Sequence, residues 1–342
     1  MILYFCTAIV THQMTTLEEI QLTISSELAD LNHCISGALK SDNALMQTII
    51  DGYLKSHGKQ IRPIMVILTA KLFGTVTPEV ISAAAAVEML HNASLIHDDV
   101  IDETKLRRGR PTINSIWDNH IAVLIGDFFV SNSLSQAILT GDIRIVKSVA
   151  NLGTLLSVGE MDQIYNARQH QLNEEAYFHI INHKTASLFV ACVEMGGYAA
   201  NAPEKAIAHM RKYAELLGLC FQIKDDIFDY YADTRIGKPT GNDLREGKVT
   251  LPLLYALSRT ELPDHDDMTA LVATEELSTE QIDTLIEFAK RNGGIDYAYS
   301  TMASLSAKAM DALKDLADEY DVDPQAYRAL ADIMSFIITR NK

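Results

Sequence analysis

The sequence predicts an all-α fold in one domain spanning residues 1–342, and three observations carry that prediction. From Leu17 onward apolar residues recur every three or four positions, the period of a helix with one buried face. No run keeps the two-residue alternation of a half-buried strand, and no Asn-Gly pair marks a hairpin. No stretch rich in proline, glycine and serine divides the chain.

The elements follow in order. Residues 1–13, MILYFCTAIVTHQ, are too short an apolar run to span a bilayer, which takes about 20 residues. They also lack the basic start and small-residue cleavage site of a signal peptide. Met14 opens a more ordinary amino terminus, so this stretch reads as a flexible extension or a start assigned too early. Helices are expected at roughly 17–39, 42–56, 60–73, 78–103, 112–139, 142–167, 173–199, 203–232, 249–260, 265–274, 278–292, 294–319 and 324–340. Start signals support several of them. Thr77-Pro78-Glu79 is an N-cap, a first-turn proline and an acid; Ser278–Gln281 fits a capping box; Asp323-Pro324 opens the last helix. No other segment reads as a membrane span.

Composition narrows the function. With 342 residues, 48% of them hydrophobic, the chain can bury a large core. A formal net charge of −16 argues against nucleic acid or an anionic membrane as partner. An anionic substrate must therefore be held by local lysines, arginines and metal. The four cysteines, Cys6, Cys34, Cys192 and Cys220, form no CxxC pair and read as free thiols in a reducing compartment, the cytoplasm.

The stretch His91–Thr112, HNASLIHDDVIDETKLRRGRPT, carries the chemistry. Asp98, Asp99 and Asp102 stand at i, i+1 and i+4, so Asp98 and Asp102 share a helix face. Two like charges so close repel, and a hard cation such as Mg2+, which takes carboxylate and phosphate oxygens, would relieve that repulsion. Arg107, Arg108 and Arg110 follow, suited to bidentate contact with phosphate. The same spacing returns in FQIKDDIFDY as Asp225, Asp226 and Asp229. One such motif alone is more often a solvated helix face or an N-terminal capping cluster. Two, flanked by Leu95, Ile96, Val100 and Ile101 and by Ile223, Ile227 and Phe228, are not solvated faces.

Other groups join them. Lys59 and Arg62 sit three apart at a helix start, where free N–H groups add partial positive charge. His91 lies two turns before Asp98 on the same face and is a candidate diphosphate donor. Lys184-Thr185 is placed to offer an ammonium and a hydroxyl, and Gln222 shares a face with Asp225. The glycines around Lys238 and Lys248 suggest a loop able to close over a ligand. The small run Ala83–Val87 with Ala93 and Ser94 allows either close helix packing or an open channel below the acids.

In order and spacing, GKQIRP, HDDVID with RRGRPT, KTASLF, FQIKDDIFDY and GKPTGNDLREGKVTLP resemble the trans-isoprenyl diphosphate synthases, the polyprenyl synthetases, over nearly the whole chain from about residue 20. The resemblance implies a bundle of mostly antiparallel helices around a deep cavity, acting as a homodimer. It implies that Asp98 and Asp102 ligate two Mg2+ on an allylic diphosphate, and that Asp225 ligates a third, supported by Asp226 and Asp229. Lys59, Arg62, His91 and Arg108 would hold isopentenyl diphosphate. Arg107, Lys184 and Lys248 would hold the allylic diphosphate, Lys238 would close the loop, and Thr185 and Gln222 would line the reacting centre. Gln60-Ile61 departs from the family pattern and is expected to matter little.

In that family the residues four and five before the first Asp set the product channel. Here they are Ser94 and Ala93, both small, which resembles the long-chain enzymes and implies an octaprenyl-class product for quinone side chains. Ala93→Tyr is expected to shorten it, and Phe128, Phe129 or Leu134 to form the floor. The rivals are a farnesyl or geranylgeranyl synthase, a terpene cyclase or head-to-head condensing enzyme, and a non-catalytic prenyl-binding subunit. Intact GKQIRP and RRGRPT weigh against the cyclase, and two complete aspartate sets against the subunit.

Overall fold

The computed structural model describes residues 16–55, 58–107, 109–231, 240–274 and 276–340. In chain order its helices are α1 (Leu17–Thr23), α2 (Ser25–Ala38), α3 (Ala44–Leu54), α4 (Ile61–Phe73), α5 (Pro78–Ile101), α6 (Ile113–Ile116), α7 (Asn119–Leu139), α8 (Ile143–Arg168) and α9 (Glu174–Ile181). After a π-helical turn (Asn182–Ala186) come α10 (Ser187–Ala199), α11 (Glu204–Asp229), α12 (Asn242–Arg245), α13 (Leu251–Leu257), α14 (His265–Val272), α15 (Thr279–Arg291), α16 (Gly294–Glu319) and α17 (Pro324–Thr339).

The chain is all-α, as its periodicity requires, and α5 is its axis. Ala83–Val87 and Met89 are fully buried, so this helix is apolar all round and belongs inside the bundle. Its alanines let α7 lie close along it, and α4, α10, α2 and α8 pack around the remainder. α10 also packs on α4, α11 and α8. A Cβ on Gly196 would stand 2.4 Å from the Val66 carbonyl oxygen, so the α10–α4 approach requires glycine there. α11 packs on α16, and α17 returns to α4 and α11. A second apolar cluster, around Leu253, Ile282 and Phe288, gathers residues of α13 and α15.

Several boundaries differ from expectation for local reasons. The helix expected over 17–39 breaks at Ile24, whose φ of −125° and ψ of 28° are not helical. The one over 112–139 breaks at Trp117, and the Asp118 carboxylate then accepts from Ile121 N at 2.9 Å to start α7. The one over 173–199 contains the π turn. Thr77 makes no side-chain cap, whereas the Ser278–Gln281 capping box and the Asp323 cap form. A strand pair went unforeseen: β1 (Leu106–Arg107) pairs antiparallel with β2 (Arg110–Pro111), with Gly109 between them at φ 74°. Two-residue strands are too short to show alternation.

Against expectation, α7 is long and apolar enough to cross a membrane by length and composition. One face is nonetheless committed to protein: Ser133 is buried with its hydroxyl donating to Ala86 O at 2.7 Å. The exposed Asp127 lies in the same helix, and a bilayer would strand that charge.

Candidate active site

The ends of α5 and α11 face each other across a cavity of about 390 Å3. Asp98, Asp225 and Asp226 line it together with Glu160 and Asp243, and Arg62, Arg107, Lys184 and Lys248 line it as cations. Asp98 and Asp225, 127 positions apart by number, thus open into one space. Asp102 caps the C-terminus of α5, and Lys248 Nζ reaches its Oδ1 at 3.6 Å. Asp229 ends α11 and accepts at Oδ2 from Asp243 N at 3.0 Å. Lys248 N in turn donates to Asp243 O at 2.7 Å, so residues 241–248 strap one aspartate set to the other. Part of that stretch, expected to be loop, is the helix α12.

The electrostatics follow from packing acids together in a partly closed space. Burial pushes the Asp98 carboxyl up to about 6, with Glu160 and Asp102 adding to the rise and Lys184 and Arg107 opposing it. Burial likewise raises Asp226 to about 7, with Asp225 and Asp229 contributing. Asp225 is raised by burial against the pull of Arg340, Arg62 and Lys59. The cations present therefore do not compensate the acids. A set of hard oxygen donors left with surplus negative charge fits a divalent cation such as Mg2+.

Not all six aspartates are equivalent. Asp226 is buried with both oxygens engaged: Tyr177 OH donates to Oδ2 at 2.6 Å and Gln222 Nε2 to Oδ1 at 2.7 Å. Thr185 Oγ1 donates to Gln222 Oε1 at 2.6 Å, so Thr185 and Gln222 brace Asp226 from one side. Asp99 is buried and accepts from Arg107 Nε at 2.8 Å, and its backbone carbonyl accepts from Asn114 at 3.0 Å. It orients an arginine. The π turn brings both Lys184 and Thr185 to the cavity wall, and Lys184 pairs with Glu160. Such turns recur at functional sites.

A larger cavity, about 1190 Å3, adjoins the first and shares Arg62, His91, Arg107 and Asp225 with it. Lys59 lies there, 5.2 Å from the Phe336 ring centroid, and Arg62 stands 5.5 Å from Phe189 and 5.9 Å from Phe221. Gln60, expected to matter little, holds the left-handed N-cap of α4 at φ 52° and bonds Asn32 at 2.9 Å. A non-glycine residue in that conformation is uncommon and costs on the order of 1 kcal/mol. It sets the turn between Lys59 and Arg62. Arg108, Lys238 and residues 1–13 lie outside the described residues.

Sequence reading missed Arg340. Its Nη2 lies 2.6 Å from Asp225 Oδ1 and 3.1 Å from Phe221 O, with the guanidinium 4.2 Å from the Phe221 ring. No local pattern marks it, because only the return of α17 across α11 brings it there. Tyr177, Glu160 and Asp243 were missed for the same reason. Phe129 is buried edge-on against Tyr53 with centroids 5.5 Å apart, Leu134 is exposed, and neither they nor Phe128 line either cavity. Leu156 of α8 and Leu188 of α10 line the smaller cavity with Ser94, whereas Ala93 is fully buried off it.

A helical bundle with two aspartate-rich helix ends sharing one basic-rimmed cavity defines an isoprenoid-synthase type of protein. A sequence model of the polyprenyl synthetase family matches residues 43–289. The all-trans-nonaprenyl-diphosphate synthase (geranyl-diphosphate specific) of Rhodobacter capsulatus is 34% identical over 303 residues, 88% of this chain and 92% of that protein. A polyprenyl synthase from Caulobacter crescentus CB15, crystallised with calcium and isoprenyl diphosphate, superposes with a TM-score of 0.87 at 30% identity over 97% of this chain and 100% of its own. A geranylgeranyl pyrophosphate synthase from Bacteroides thetaiotaomicron superposes at 0.80 with 38% identity, covering 94% and 98%. The chain belongs to the polyprenyl synthetase family and is a transferase, a trans-prenyl diphosphate synthase.

Proposed function

We propose that the enzyme joins isopentenyl diphosphate head-to-tail to an allylic diphosphate such as farnesyl diphosphate, and repeats the step to a long all-trans product of the octaprenyl class, a quinone side-chain precursor. The observation that carries this reading is the cavity in which Asp98 and Asp225 meet Arg107, Lys184 and Lys248. Asp98 and Asp102 from one side and Asp225 and Asp229 from the other hold Mg2+, three ions in all, with Asp226 bracing them from its hydrogen-bonded position. Bound Mg2+ supplies charge neutralisation on the departing diphosphate.

Arg107, Lys184 and Lys248 bind the allylic diphosphate and stabilise the charge that gathers as its C–O bond breaks. Lys59, Arg62, His91 and Arg108 hold isopentenyl diphosphate in the adjoining space, so that its double bond reaches the allylic carbon and a C–C bond forms. The proton then lost goes to the departing diphosphate. Thr185 and Gln222 wall the reacting centre, and Lys238 closes over it. The calcium and isoprenyl diphosphate in the Caulobacter structure support a cation-held diphosphate, and small Ser94 supports a long product. A geranylgeranyl product is the second reading, favoured by the 38% identity to the Bacteroides enzyme.

Incubation with Mg2+, farnesyl diphosphate and labelled isopentenyl diphosphate, followed by sizing of the chains, tests this. A ladder ending near forty carbons is expected. A single twenty-carbon product selects the second reading, and pyrophosphate release independent of isopentenyl diphosphate would sink both.

The outward face of α7 leaves Leu124 60% and Ile138 63% exposed, with Leu139 beside them. So broad an apolar face supports a homodimer formed through α7. Leu124→Glu with Ile138→Glu is expected to halve the mass measured by light scattering while helicity by circular dichroism stays. An unchanged mass would place the interface elsewhere. The buried free thiols Cys192 and Cys220 support a reducing compartment, the cytoplasm.

A further inference from the structure

Behind the Lys184 turn, outside both cavities, three other side chains converge. Asp162 of α8, His179 of α9 and His183 of the π turn each offer one ligand atom, and all three atoms lie within 4.8 Å of one another. His179 Nε2 is 3.3 Å from Asp162 Oδ2. The two imidazoles stand four residues apart with ring centroids 4.1 Å apart. His183 Nδ1 is buried with no hydrogen-bond partner among the described residues. The backbones are close as well. A Cβ on Gly159 would fall 2.8 Å from His183 Cβ and 2.9 Å from Lys184 Cγ, so α8 runs tight against the turn.

We propose that Asp162, His179 and His183 form a second cation site, separate from the aspartate cavity and suited to a borderline transition-metal ion, Zn2+. A tetrahedral ion with bonds of about 2.0–2.1 Å sets its ligands roughly 3.3–3.4 Å apart. His179 and Asp162 already hold that spacing, and the His183 ligand atom, within 4.8 Å of both, would close in on the ion as its imidazole turns. Two imidazole nitrogens with one carboxylate select Zn2+ over Mg2+, which prefers oxygen throughout. His179 and Asp162 are each partly exposed, which leaves the fourth position to water and makes binding reversible. The ion would tie α8 and α9 to the turn that carries Lys184.

The test titrates Zn2+ into the metal-stripped full-length protein by calorimetry, in excess Mg2+ to occupy the aspartate cavity. Co2+ serves as a coloured stand-in read by visible absorption. One equivalent is expected to bind, with Co2+ giving visible ligand-field bands. His179→Ala and His183→Ala should each weaken binding at least about tenfold and remove those bands, with circular dichroism unchanged. Asp98→Asn should leave the event intact. A Zn2+ event that survives both histidine variants, or disappears with Asp98→Asn, overturns the proposal, as does the absence of binding in the unaltered protein. Because His179 is a surface residue, its variant separates loss of a ligand from loss of fold.

Discussion

Asp98→Asn is expected to cut the rate of isopentenyl diphosphate incorporation by about 10^3-fold, in line with the loss of a charge-stabilising group at a reacting diphosphate. The same substitution should raise the melting temperature of the metal-free protein at pH 8. The sign follows from linkage. Burial lifts the Asp98 carboxyl from the ordinary 3.8 to about 6 in the folded state. A raised carboxyl adds stability that is fully present below its unfolded value and is lost as pH climbs through its folded value. Above pH 6 its ionisation therefore costs up to about 3 kcal/mol, before discounting for the water that reaches a partly buried group. Asparagine carries no such cost. In chelator the two proteins should melt alike near pH 4 and diverge as pH rises to 8, with the variant higher. Mg2+ with inorganic diphosphate should then stabilise the unaltered protein much more than the variant. Turnover within tenfold of the original, or identical melting at pH 8, would remove Asp98 from the proposed metal site.

That pairing of lost activity with gained stability is a consequence of how the aspartates are held, and only part of it could be read in advance. The i, i+1, i+4 spacing of Asp98, Asp99 and Asp102 is a property of one helix, so sequence alone could group them. Helix geometry also set Asp99 off the Asp98–Asp102 face, but it could not give the partner to which Asp99 turns, Arg107 at 2.8 Å, or the Tyr177 and Gln222 that fix Asp226. Those partners lie on other segments, and no local period encodes them. The same holds for Arg340, brought to Asp225 by the return of α17. Helices with long apolar repeats, such as α5 and α11, were legible. Breaks at Ile24 and Trp117 and the π turn at Asn182–Ala186 were not, because tertiary packing there overrides a continuous helical pattern. The left-handed Gln60 was illegible too, since its side chain gives no sign of a positive φ.

Product length is where that distinction has its second large consequence. Ser94 lines the smaller cavity one helical turn below Asp98, facing a wall that includes Leu156 and Leu188. Ser94→Phe places a phenyl ring where a growing chain would leave the reacting centre. The longest product should fall to the geranylgeranyl class or shorter, while the first condensation keeps its rate, since no diphosphate contact changes. Ala93→Tyr, the change that the family resemblance recommends, should act differently. Ala93 is fully buried and does not line the cavity, so a tyrosine there overpacks the core at a cost of about 1–3 kcal/mol. Its melting temperature should drop by several degrees whatever happens to chain length. Leu134→Ala serves as the control, because that side chain is exposed and lines neither cavity, and its product ladder should match the original. Reversed-phase sizing of the three variants separates the cases. An unshortened ladder from Ser94→Phe would mean that the hydrocarbon grows into the larger cavity past Tyr53 and Ile96 instead, because those residues line the remaining apolar space next to His91.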